Sequence, residues 1–383
     1  MAPSKGKVLL VTETPPGTPN GFGVTLQCMF RDTPHEVLYT DAAFREHGDS
    51  NGFTLAQVPY HRSRKHVLAF LTGRIPEWRN HFSKIWLRAH LTEKHLLVYA
   101  FVYSTNCLLY ASWIAKKRNL PLLVHLADHS DAFEQPSISR ILENCTKLIC
   151  ITEDMRSKYE SMLGRKDIEF LHNGAEDQCF QIPSPNPLNF DSRNPFVFCF
   201  LGGLFSQLHG ECIEDVLLAV KNLRTKFPFL EFHLYGQLQP KNFLSELLHS
   251  QGITHHGIIM PLDKKYEIME RAHCFLIPSS FNPDKNSNYR YSFPTKLPEL
   301  LGTGRPVLSY GPENTASNRI LGRHKLGFRI HKRSVENLEL TLSLIIEDYK
   351  QIINDHTSRN KEVIKSFSAT MVRSKLTNIL TVS

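Results

Sequence analysis

The chain has 383 residues, of which 41% are hydrophobic and 21% charged, and its formal net charge is +8 with histidine counted as neutral. This composition is that of an ordinary soluble globular protein, and the length exceeds the usual size of a single domain, so we expect two domains of roughly 180 residues each. No recognised nucleic-acid-binding motif accompanies the positive charge, and we therefore expect no nucleic-acid partner.

The cysteines and the N-terminal residues indicate the cellular compartment of the protein. The eight cysteines include no Cys-x-x-Cys pair, and several lie in apolar, strand-like runs. This pattern favours buried thiols in a reducing cytoplasm over disulfides or a zinc site. The apolar run near the N-terminus is only four residues long, too short for a signal peptide. We expect a cytoplasmic protein.

Strand-like and helix-like segments alternate through the first half. The predicted elements are a helix from Val24 to Phe30 and strands at 7–12, 36–40, 122–124, 148–151 and 168–171. The uncharged stretch from Leu96 to Ile114 is almost long enough to span a membrane. Ser104, however, with the two polar residues after it, divides a strand-like half from a helical half. We therefore predict a βαβ unit that ends in the strand at 122–124.

Residues 61–90 concentrate the positive charge. They contain seven Lys or Arg, four His and one acid, and Trp78, Phe82 and Trp86 recur every four residues. A helix here would carry an aromatic stripe beside basic side chains, as in helices that lie on anionic membranes. A stripe that packs in the core, with a solvated basic back, is the alternative.

A polar stretch around Pro183, Pro185 and Pro187 separates the two halves and is predicted to be a linker. Alternation then restarts, with strands predicted at 196–201, 229–235, 257–259 and 274–278 and helices ending near 226 and at 241–250 and 264–272. Two such series predict an α/β protein of two Rossmann-like, doubly wound domains facing a cleft, with ligands at the carboxyl ends of the strands.

The most informative segment is residues 279–309, SSFNPDKNSNYRYSFPTKLPELLGTGRPVLS. Pro294 is predicted to lie in the first turn of a short helix, whose free N–H groups and dipole favour a phosphate. Glu299 can accept two hydrogen bonds from a vicinal diol such as a ribose. The glycines that follow allow a sharp turn into a buried strand. This order indicates a nucleotide-diphosphate pocket, although the same elements occur in many α/β proteins and a purely structural Glu299 stays open.

The layout resembles the donor site of glycosyltransferase family 4, which has the GT-B fold. The resemblance covers residues 5–350, and the segments that carry it besides 279–309 are the glycine-rich loop up to Gly23, 151–153, 172–174, 200–204, 235–236 and 256–257. It implies an N-terminal acceptor-binding domain (1–185), a C-terminal nucleotide-sugar-binding domain (190–355) and a C-terminal helix (356–383) that packs back on the N-terminal domain.

The family resemblance also implies an activity and a set of residues. The activity is a retaining, metal-independent transfer from a nucleotide-diphosphate sugar, a co-substrate rather than a cofactor, to a carbohydrate or lipid-linked acceptor. Catalytic roles are implied for Asp128, His129 and Lys296. Donor-binding roles are implied for Gly21, Gly23, Gly202, Gly203, His209, Gly236, Arg290, Ser292, Phe293, Thr295 and Glu299. We expect contact with the inner face of an anionic membrane through residues 61–90.

The chain departs from the family pattern at positions that carry chemistry. Tyr291 stands where the first of two family glutamates would face the sugar, and Ala127 stands where a histidine often follows a strand. Gly203 and His209 stand where two cations would meet the diphosphate. Nearby cations at 290 and 296 can replace them, although the first can equally be a solvated loop residue. A GT-B-like protein that binds a nucleotide or sugar without transfer is therefore the alternative.

A dinucleotide-binding dehydrogenase is the alternative from another enzyme class. Gly21 and Gly23 follow a strand, and Asp41 lies where a ribose-binding acid would stand. Leu26, however, occupies the third glycine position, and the loop that begins after Thr12 is too long for a tight phosphate turn. The pattern favours the transferase.

Overall fold

The computed structural model describes residues 7–18, 20–31, 35–39, 54–57, 95–183, 185, 190–239, 245–259, 263–282, 290–359 and 361–381. The basic segment 61–90 and Asp41 lie outside these residues. The chain divides into two compact units, the first comprising Met1–Asn173 with Val372–Ser383 and the second Gly174–Met371.

The first unit is built on one parallel sheet. Its strands are β1 (Lys7–Thr12), β2 (His35–Tyr39), β3 (Thr54–Gln57), β4 (His95–Val102), β5 (Leu122–Leu126), β6 (Lys147–Cys150) and β7 (Glu169–Phe170). Among the described residues these seven strands lie in the order β3-β2-β1-β4-β5-β6-β7, and every neighbouring pair is parallel. The strand β5 is buried along its whole length, as expected of a parallel strand covered on both faces.

Helices connect these strands. They are α1 (Gly21–Phe30), α2 (Thr105–Arg118), α3 (Pro136–Asn144) and α4 (Glu153–Leu163), with a 3-10 helix at Asp131–Glu134. Asn119 ends α2 in the left-handed conformation, at φ 52°, and its N–H donates to the Ala115 carbonyl. The predicted βαβ unit after Leu96 is confirmed as β4, α2 and β5. Across the described parts of the chain, no helix is both long and apolar enough to cross a membrane.

The second unit repeats the parallel architecture. Its strands are β8 (Phe196–Leu201), β9 (Leu204–Phe205), β10 (Leu230–Tyr235), β11 (Leu238–Gln239), β12 (Ile253–His255), β13 (Cys274–Pro278), β14 (Val307–Tyr310) and β15 (Phe328–Ile330). Within the described ranges, six of them form a parallel sheet in the order β12-β10-β8-β13-β14-β15, while β9 and β11 form a small parallel pair.

The remaining helices follow in chain order. They are α5 (Ser206–Leu223), α6 (Ser245–Leu248), α7 (Asp263–Arg271), α8 (Leu297–Gly302), α9 (Ala316–His324), α10 (Val335–Glu347), α11 (Tyr349–Arg359), α12 (Lys361–Ser366) and α13 (Ala369–Thr381), with a 3-10 helix at Asp177–Gln181. All eight cysteines are buried free thiols, and the prediction of their burial is confirmed.

The helix α13 belongs to the core of the first unit. Val372, Leu376 and Ile379 are spaced by four and three residues, so they share one helix face, and all three lie in the cluster that contains Leu10 and Leu26. Burying each such aliphatic side chain stabilises the fold by roughly 1.5–3 kcal/mol. The last turns of the chain therefore contribute directly to the first unit.

The limits of the units differ from the predicted ranges. The chain enters the second unit at Gly174, because Ala175 forms a bridge with Ser368 and the 3-10 helix at 177–181 packs on α8. Arg305, which is fully buried, donates to the Pro183 carbonyl at 3.1 Å. The predicted C-terminal helix is divided into α11, α12 and α13, and only residues from Val372 onward belong to the first unit.

Two predicted elements were wrong in position. The edge strand is β12 at 253–255 rather than 257–259, because Gly257 turns the chain at φ 73° and its carbonyl accepts the Gly236 N–H. The helix α8 begins at Leu297, so Pro294 precedes it instead of lying in its first turn.

Each sheet has a point at which the chain stops adding strands on one side and starts adding them on the other. This point lies between β1 and β4 in the first unit and between β8 and β13 in the second. Parallel sheets bind ligands at the carboxyl ends of the strands at such points. Glu13 and Tyr103 follow the first pair of strands, and Gly202 and Ser279 follow the second.

Candidate functional site

Glycines join the carboxyl ends of β8 and β10. The Gly202 N–H donates to the Tyr235 carbonyl at 2.8 Å, and the Gly236 N–H donates to the Gly257 carbonyl at 2.7 Å. Gly236 has φ 142°, and a Cβ built on it would overlap the carbonyl oxygen of Gly202 and lie 3.1 Å from the Gly203 nitrogen. The structure thus brings the three predicted donor residues 202, 203 and 236 together. The contact between Gly236 and the Gly202 carbonyl is sufficient to require glycine at 236, with or without a ligand.

Glu299 lies on α8 and is 4% exposed. Lys265 Nζ lies 2.5 Å from Glu299 Oε1, and Lys296 Nζ lies 3.3 Å from Oε2. The Lys296 contact is the longer of the two ion pairs, so Oε2 is held less tightly than Oε1. Burial alone would raise the pKa of Glu299, but the Lys296 and Lys265 ammonium groups outweigh burial and hold this pKa below its ordinary value. Glu299 is therefore an ionised buried carboxylate with one oxygen open to a donor.

The predicted anion site lies at the turn before α8 and stays a prediction, although one of its expected free N–H groups is occupied. The helix has six residues, and the Leu297 N–H donates at 2.9 Å to the Pro294 carbonyl, where the prediction required free N–H groups. Phe293 is 5% exposed and packs on Phe367 with ring centroids 6.3 Å apart, so core packing accounts for it. Ser292 and Thr295 are half-buried on either side of this turn. The positive charge next to Glu299 comes from side chains.

Arg290 and His209 occupy different surroundings. Arg290 is exposed, its guanidinium lies 5.5 Å from the centroid of the Tyr291 ring, and its carbonyl accepts from Arg319. His209 lies on α5 with its ring 5.9 Å from the Phe200 ring. Phe200 belongs to β8, so His209 lies beside the strand that Gly202 follows.

Sequence reasoning missed the residue that holds the loop after β13. The Glu211 carboxylate on α5 accepts from the Ser280 hydroxyl, from the Phe281 N–H at 2.9 Å and from the Asn282 N–H at 3.3 Å. These hydrogen bonds hold the pKa of Glu211 below its ordinary value although burial opposes them. The signal available in the sequence was an acid two residues after His209.

In the first unit, His129 follows β5 and is the centre of a charged cluster. Its Nδ1 lies 3.2 Å from the Tyr159 hydroxyl, and its Nε2 lies 3.2 Å from Lys158 Nζ and 3.3 Å from Asp131 Oδ1. Burial lowers the pKa of His129 and the Lys158 charge lowers it further, against the opposing effects of Asp131 and Glu134. The imidazole is therefore neutral near pH 7.

The same cluster offers ligand atoms for a cation. Atoms of His129, Asp131 and Glu134 lie within 4.8 Å of one another, an arrangement that could hold a metal ion. Lys158 Nζ, however, lies 2.6 Å from Glu134 Oε1, so an ammonium group already supplies positive charge there. Asp128 accepts the His129 N–H at 2.8 Å, which fixes the turn after the strand. Ala127 is 4% exposed and lies in the core cluster.

Glu13, which sequence reasoning also missed, directly follows β1 and is 5% exposed. Its Oε1 accepts the Ser104 N–H at 2.7 Å, and the Tyr103 N–H lies 3.3 Å from the same oxygen. Ser104 is the N-cap of α2, where a carboxylate is favoured. Burial nevertheless raises the pKa of Glu13 to about 7, and the hydrogen bonds oppose it only in part. An acid at the end of a predicted strand was the signal.

Gly21 and Gly23 have local structural roles. The Gly23 N–H donates to Asn20 Oδ1 at 2.8 Å in the N-cap of α1, and a Cβ on Gly23 would lie 2.5 Å from the Thr18 carbonyl oxygen. The Gly21 carbonyl accepts from the Thr25 hydroxyl at 2.7 Å. The overlap at Gly23 explains that glycine by chain packing, whereas the contact at Gly21 involves only its carbonyl and does not require glycine. Their predicted contact with a donor stays a prediction.

A cavity of about 470 Å³ opens on one face of the second sheet. The rings of Tyr235 and His256 stack in it, with centroids 4.4 Å apart, and His233 contacts Glu231 at 2.9 Å. Among the described residues that line this cavity, none is a predicted donor or catalytic residue. Tyr235 directly precedes Gly236, so the cavity reaches the end of β10.

Two parallel α/β units of this kind define the GT-B fold, and comparison with solved structures confirms that fold class. HepE of Anabaena, in complex with UDP and glucose, is similar with a TM-score of 0.71 and 15% identity over 99% of this chain and 100% of that chain. The lipopolysaccharide outer core galactosyltransferase WaaB has a TM-score of 0.63 and 15% identity over 98% and 99%.

A glycosyltransferase of Rickettsia africae has a TM-score of 0.67 and 11% identity over 98% of this chain and 97% of that chain. No protein-family model and no curated protein sequence matches the chain. At these identities the likeness establishes the fold.

Proposed function

We propose that the chain is a glycosyltransferase of the GT-B type, related to family 4, that transfers a sugar from a nucleotide-diphosphate sugar to an acceptor hydroxyl. The observation that carries this proposal is the state of Glu299, a buried and ionised carboxylate whose Oε2 faces the more exposed ammonium group of Lys296 at 3.3 Å. The hydroxyl groups of a ribose are suitable donors to that oxygen.

Lys296 fits the diphosphate of the same ligand. Its side chain is 40% exposed, whereas that of Glu299 is 6% exposed, so the ammonium group can turn toward solvent while the carboxylate stays in place. In a nucleotide the diphosphate is attached to the ribose, so an acceptor for the ribose beside a mobile cation matches the order of the groups. Backbone N–H groups around Gly203 and the exposed Arg290 are the further candidates for phosphate contact.

The proposed reaction is a retaining, metal-independent transfer. Negative charge develops on the leaving diphosphate, and fixed positive charge that meets it in the transition state accelerates the reaction. Lys296 is assigned that role. Asp128 and His129 are proposed to orient the acceptor or sugar hydroxyls, and the neutral imidazole of His129 can accept a proton from a hydroxyl group.

The donor to test first is a UDP-sugar, because the HepE structures contain UDP and UDP-glucose. The experiment is a thermal-shift series with UDP-, GDP-, ADP- and CMP-sugars, since a ligand that binds the native state raises stability by mass action. A rise in melting temperature with one nucleotide class that disappears in Glu299→Gln supports the proposal. A rise that is equal in parent and variant contradicts it.

A GT-B-like binding protein without transferase activity is the second candidate, and the departure at Tyr291 favours it. Release of nucleoside diphosphate from the bound donor, measured with and without acceptor extracts, separates the two. Release that depends on acceptor supports the transferase. Donor binding with no release under any acceptor supports the binding protein.

The remaining partners are proposals from the sequence. We propose a carbohydrate or lipid-linked acceptor and a cytoplasmic location at the inner face of a membrane, with contact through residues 61–90. Their charge, seven Lys or Arg against one acid, supports attraction to anionic lipid.

A further inference from the structure

Lys265 is a buried lysine on α7, the helix that precedes β13. It is 9% exposed, and its Nζ lies 2.5 Å from Glu299 Oε1. Its neighbour Lys264 is exposed. Lysine is seldom buried without a partner, because removing an ammonium group from water costs several kcal/mol. The burial of Lys265 therefore requires the charge of Glu299.

The two lysines contact different oxygens of the Glu299 carboxylate. Lys265 hydrogen-bonds Oε1 at 2.5 Å, while Oε2 has the more exposed Lys296 3.3 Å away. Fixing one oxygen determines the direction in which the other points. A carboxylate held in this way presents one acceptor in a constant orientation, as a preorganised ligand site requires.

We propose that Lys265 is a positioning residue of the donor site, which fixes Glu299 so that Oε2 receives a ribose hydroxyl of the nucleotide while Lys296 remains available to the diphosphate. The inference rests on the proposed function, since it requires a nucleotide at Glu299. It assigns the two lysines different tasks. Lys265 sets the geometry and ionisation of the carboxylate, and Lys296 contacts the ligand.

The charged groups around Glu299 define how its ionisation depends on pH. They are Lys265 from α7 and Lys296 at the start of α8, and the Cys179 thiol, from the 3-10 helix that packs on α8, interacts with Glu299 and in turn with Glu176. Burial raises the pKa of Cys179 to about 12, so this thiol is uncharged near pH 7. Removing Lys265 leaves Lys296 as the one cation of this set against the effect of burial, so the pKa of Glu299 rises.

The test is calorimetric titration of UDP, and of GDP and ADP in parallel, from about pH 5 to about pH 8, with the affinity of each variant compared with that of the parent at the same pH, because Glu13 and histidines titrate in this range in all of them. The parent keeps Glu299 ionised over this range, so its own pH profile reflects the nucleotide phosphate and the histidines. Relative to the parent at the same pH, the affinity of Lys265→Met falls roughly tenfold near the acid end and recovers as the pH rises, because ionised Glu299 is the binding form. Lys264→Met, an exposed change of the same kind, behaves like the parent.

Two further variants separate positioning from general loss of structure. Lys265→Arg keeps the charge but moves the carboxylate, so it lowers affinity without a new pH dependence. In the Glu299→Gln background, Lys265→Met causes no further loss of affinity, because its effect acts through the carboxylate. Thermal melts and circular dichroism check that each variant is folded. If Lys265→Met does not fold, Lys265→Arg tests the inference in its place.

The outcomes are distinct. A parent that binds UDP, GDP or ADP, with a Lys265→Met variant that matches it at every pH, overturns the positioning role and leaves the proposed function intact. The positioning role is also overturned if Lys265→Met lowers nucleotide affinity by the same factor in the parent and in the Glu299→Gln background. A folded parent that binds none of the three nucleotides overturns the proposed function, and this inference with it.

Discussion

The backbone of Gly236 runs against the carbonyl oxygen of Gly202, and this contact joins the ends of β10 and β8. The φ of 142° at Gly236 is one that residues with a side chain rarely adopt, and its N–H is bound to Gly257. The carboxyl end of the second sheet is therefore shaped by contacts between backbone atoms.

Gly236→Ala is predicted to destabilise the protein by roughly 2 kcal/mol or more, because strain at φ adds to an overlap with backbone that cannot move aside. Gly257→Ala is the matched control. It also has positive φ, 73°, but a Cβ there meets nothing within 4 Å, so we expect a loss of about 1 kcal/mol. Urea denaturation measures both, and equal losses would contradict the role of the contact.

Glu13 is predicted to make stability depend on pH. Its folded pKa of about 7 lies above the ordinary value of 4.5, so the native state favours the protonated carboxyl. The stabilising contribution is complete below about pH 4.5 and is lost as the pH rises to about 7, a change of at most about 3 kcal/mol. Relative to the parent, Glu13→Gln should gain stability between pH 5 and pH 8. A constant difference in unfolding free energy over that range would argue against a raised pKa.

Lys296→Ala is predicted to reduce turnover more than donor affinity. Its charge is proposed to meet the leaving diphosphate, and only interactions that strengthen in the transition state raise the rate. Initial rates and nucleotide-sugar titrations on the parent, Lys296→Ala and the exposed-residue control Lys332→Ala provide the comparison. A loss confined to affinity would show that Lys296 only binds the ground state.

Residues 61–90 are predicted to attach the protein to anionic bilayers. Neutralising Arg62, Arg64, Lys65, Lys84 and Arg88 should abolish co-sedimentation with liposomes that contain anionic lipid, and added salt should weaken it in the parent. Neutral liposomes serve as the control. Co-sedimentation that is unchanged in the variant would rule this prediction out.

Sequence patterns identified the elements that are uniformly buried. The bounds of β1, β8 and β13 were predicted to the residue, because each is an unbroken apolar run. The strand β12 was misplaced because its last residue, His255, is polar and only the pairing with β10 shows that it is a strand. The break before α13 depends on the bridge between Ala175 and Ser368, a contact far apart in sequence.

The candidate site was predicted only in part, because some of its contacts join residues that are far apart in sequence. Glu299 and Lys296 lie three residues apart, so their proximity on one helix start is a local property. Lys265 comes from another helix, in the sequence DKKYEIMER, which is as charged as an exposed helix. Its burial follows from how α7 packs near α8, which one sequence does not reveal.

The central claim is that Glu299 binds the ribose of a nucleotide-sugar donor. The decisive measurement is the UDP-glucose affinity of the parent, of Glu299→Gln and of the exposed control Glu267→Gln, with thermal melts on each. Glu299→Gln should lose about 1.5–3 kcal/mol of binding free energy, roughly ten- to a hundredfold, while Glu267→Gln matches the parent. Glu299→Gln removes the counter-charge of the buried Lys265 and should lower stability, although the amide oxygen can still accept from Lys265, so affinities are compared at a temperature at which the melts show every variant folded. If folded Glu299→Gln binds the donor like the parent, or loses affinity only by unfolding, the assignment of Glu299 to the donor site is wrong.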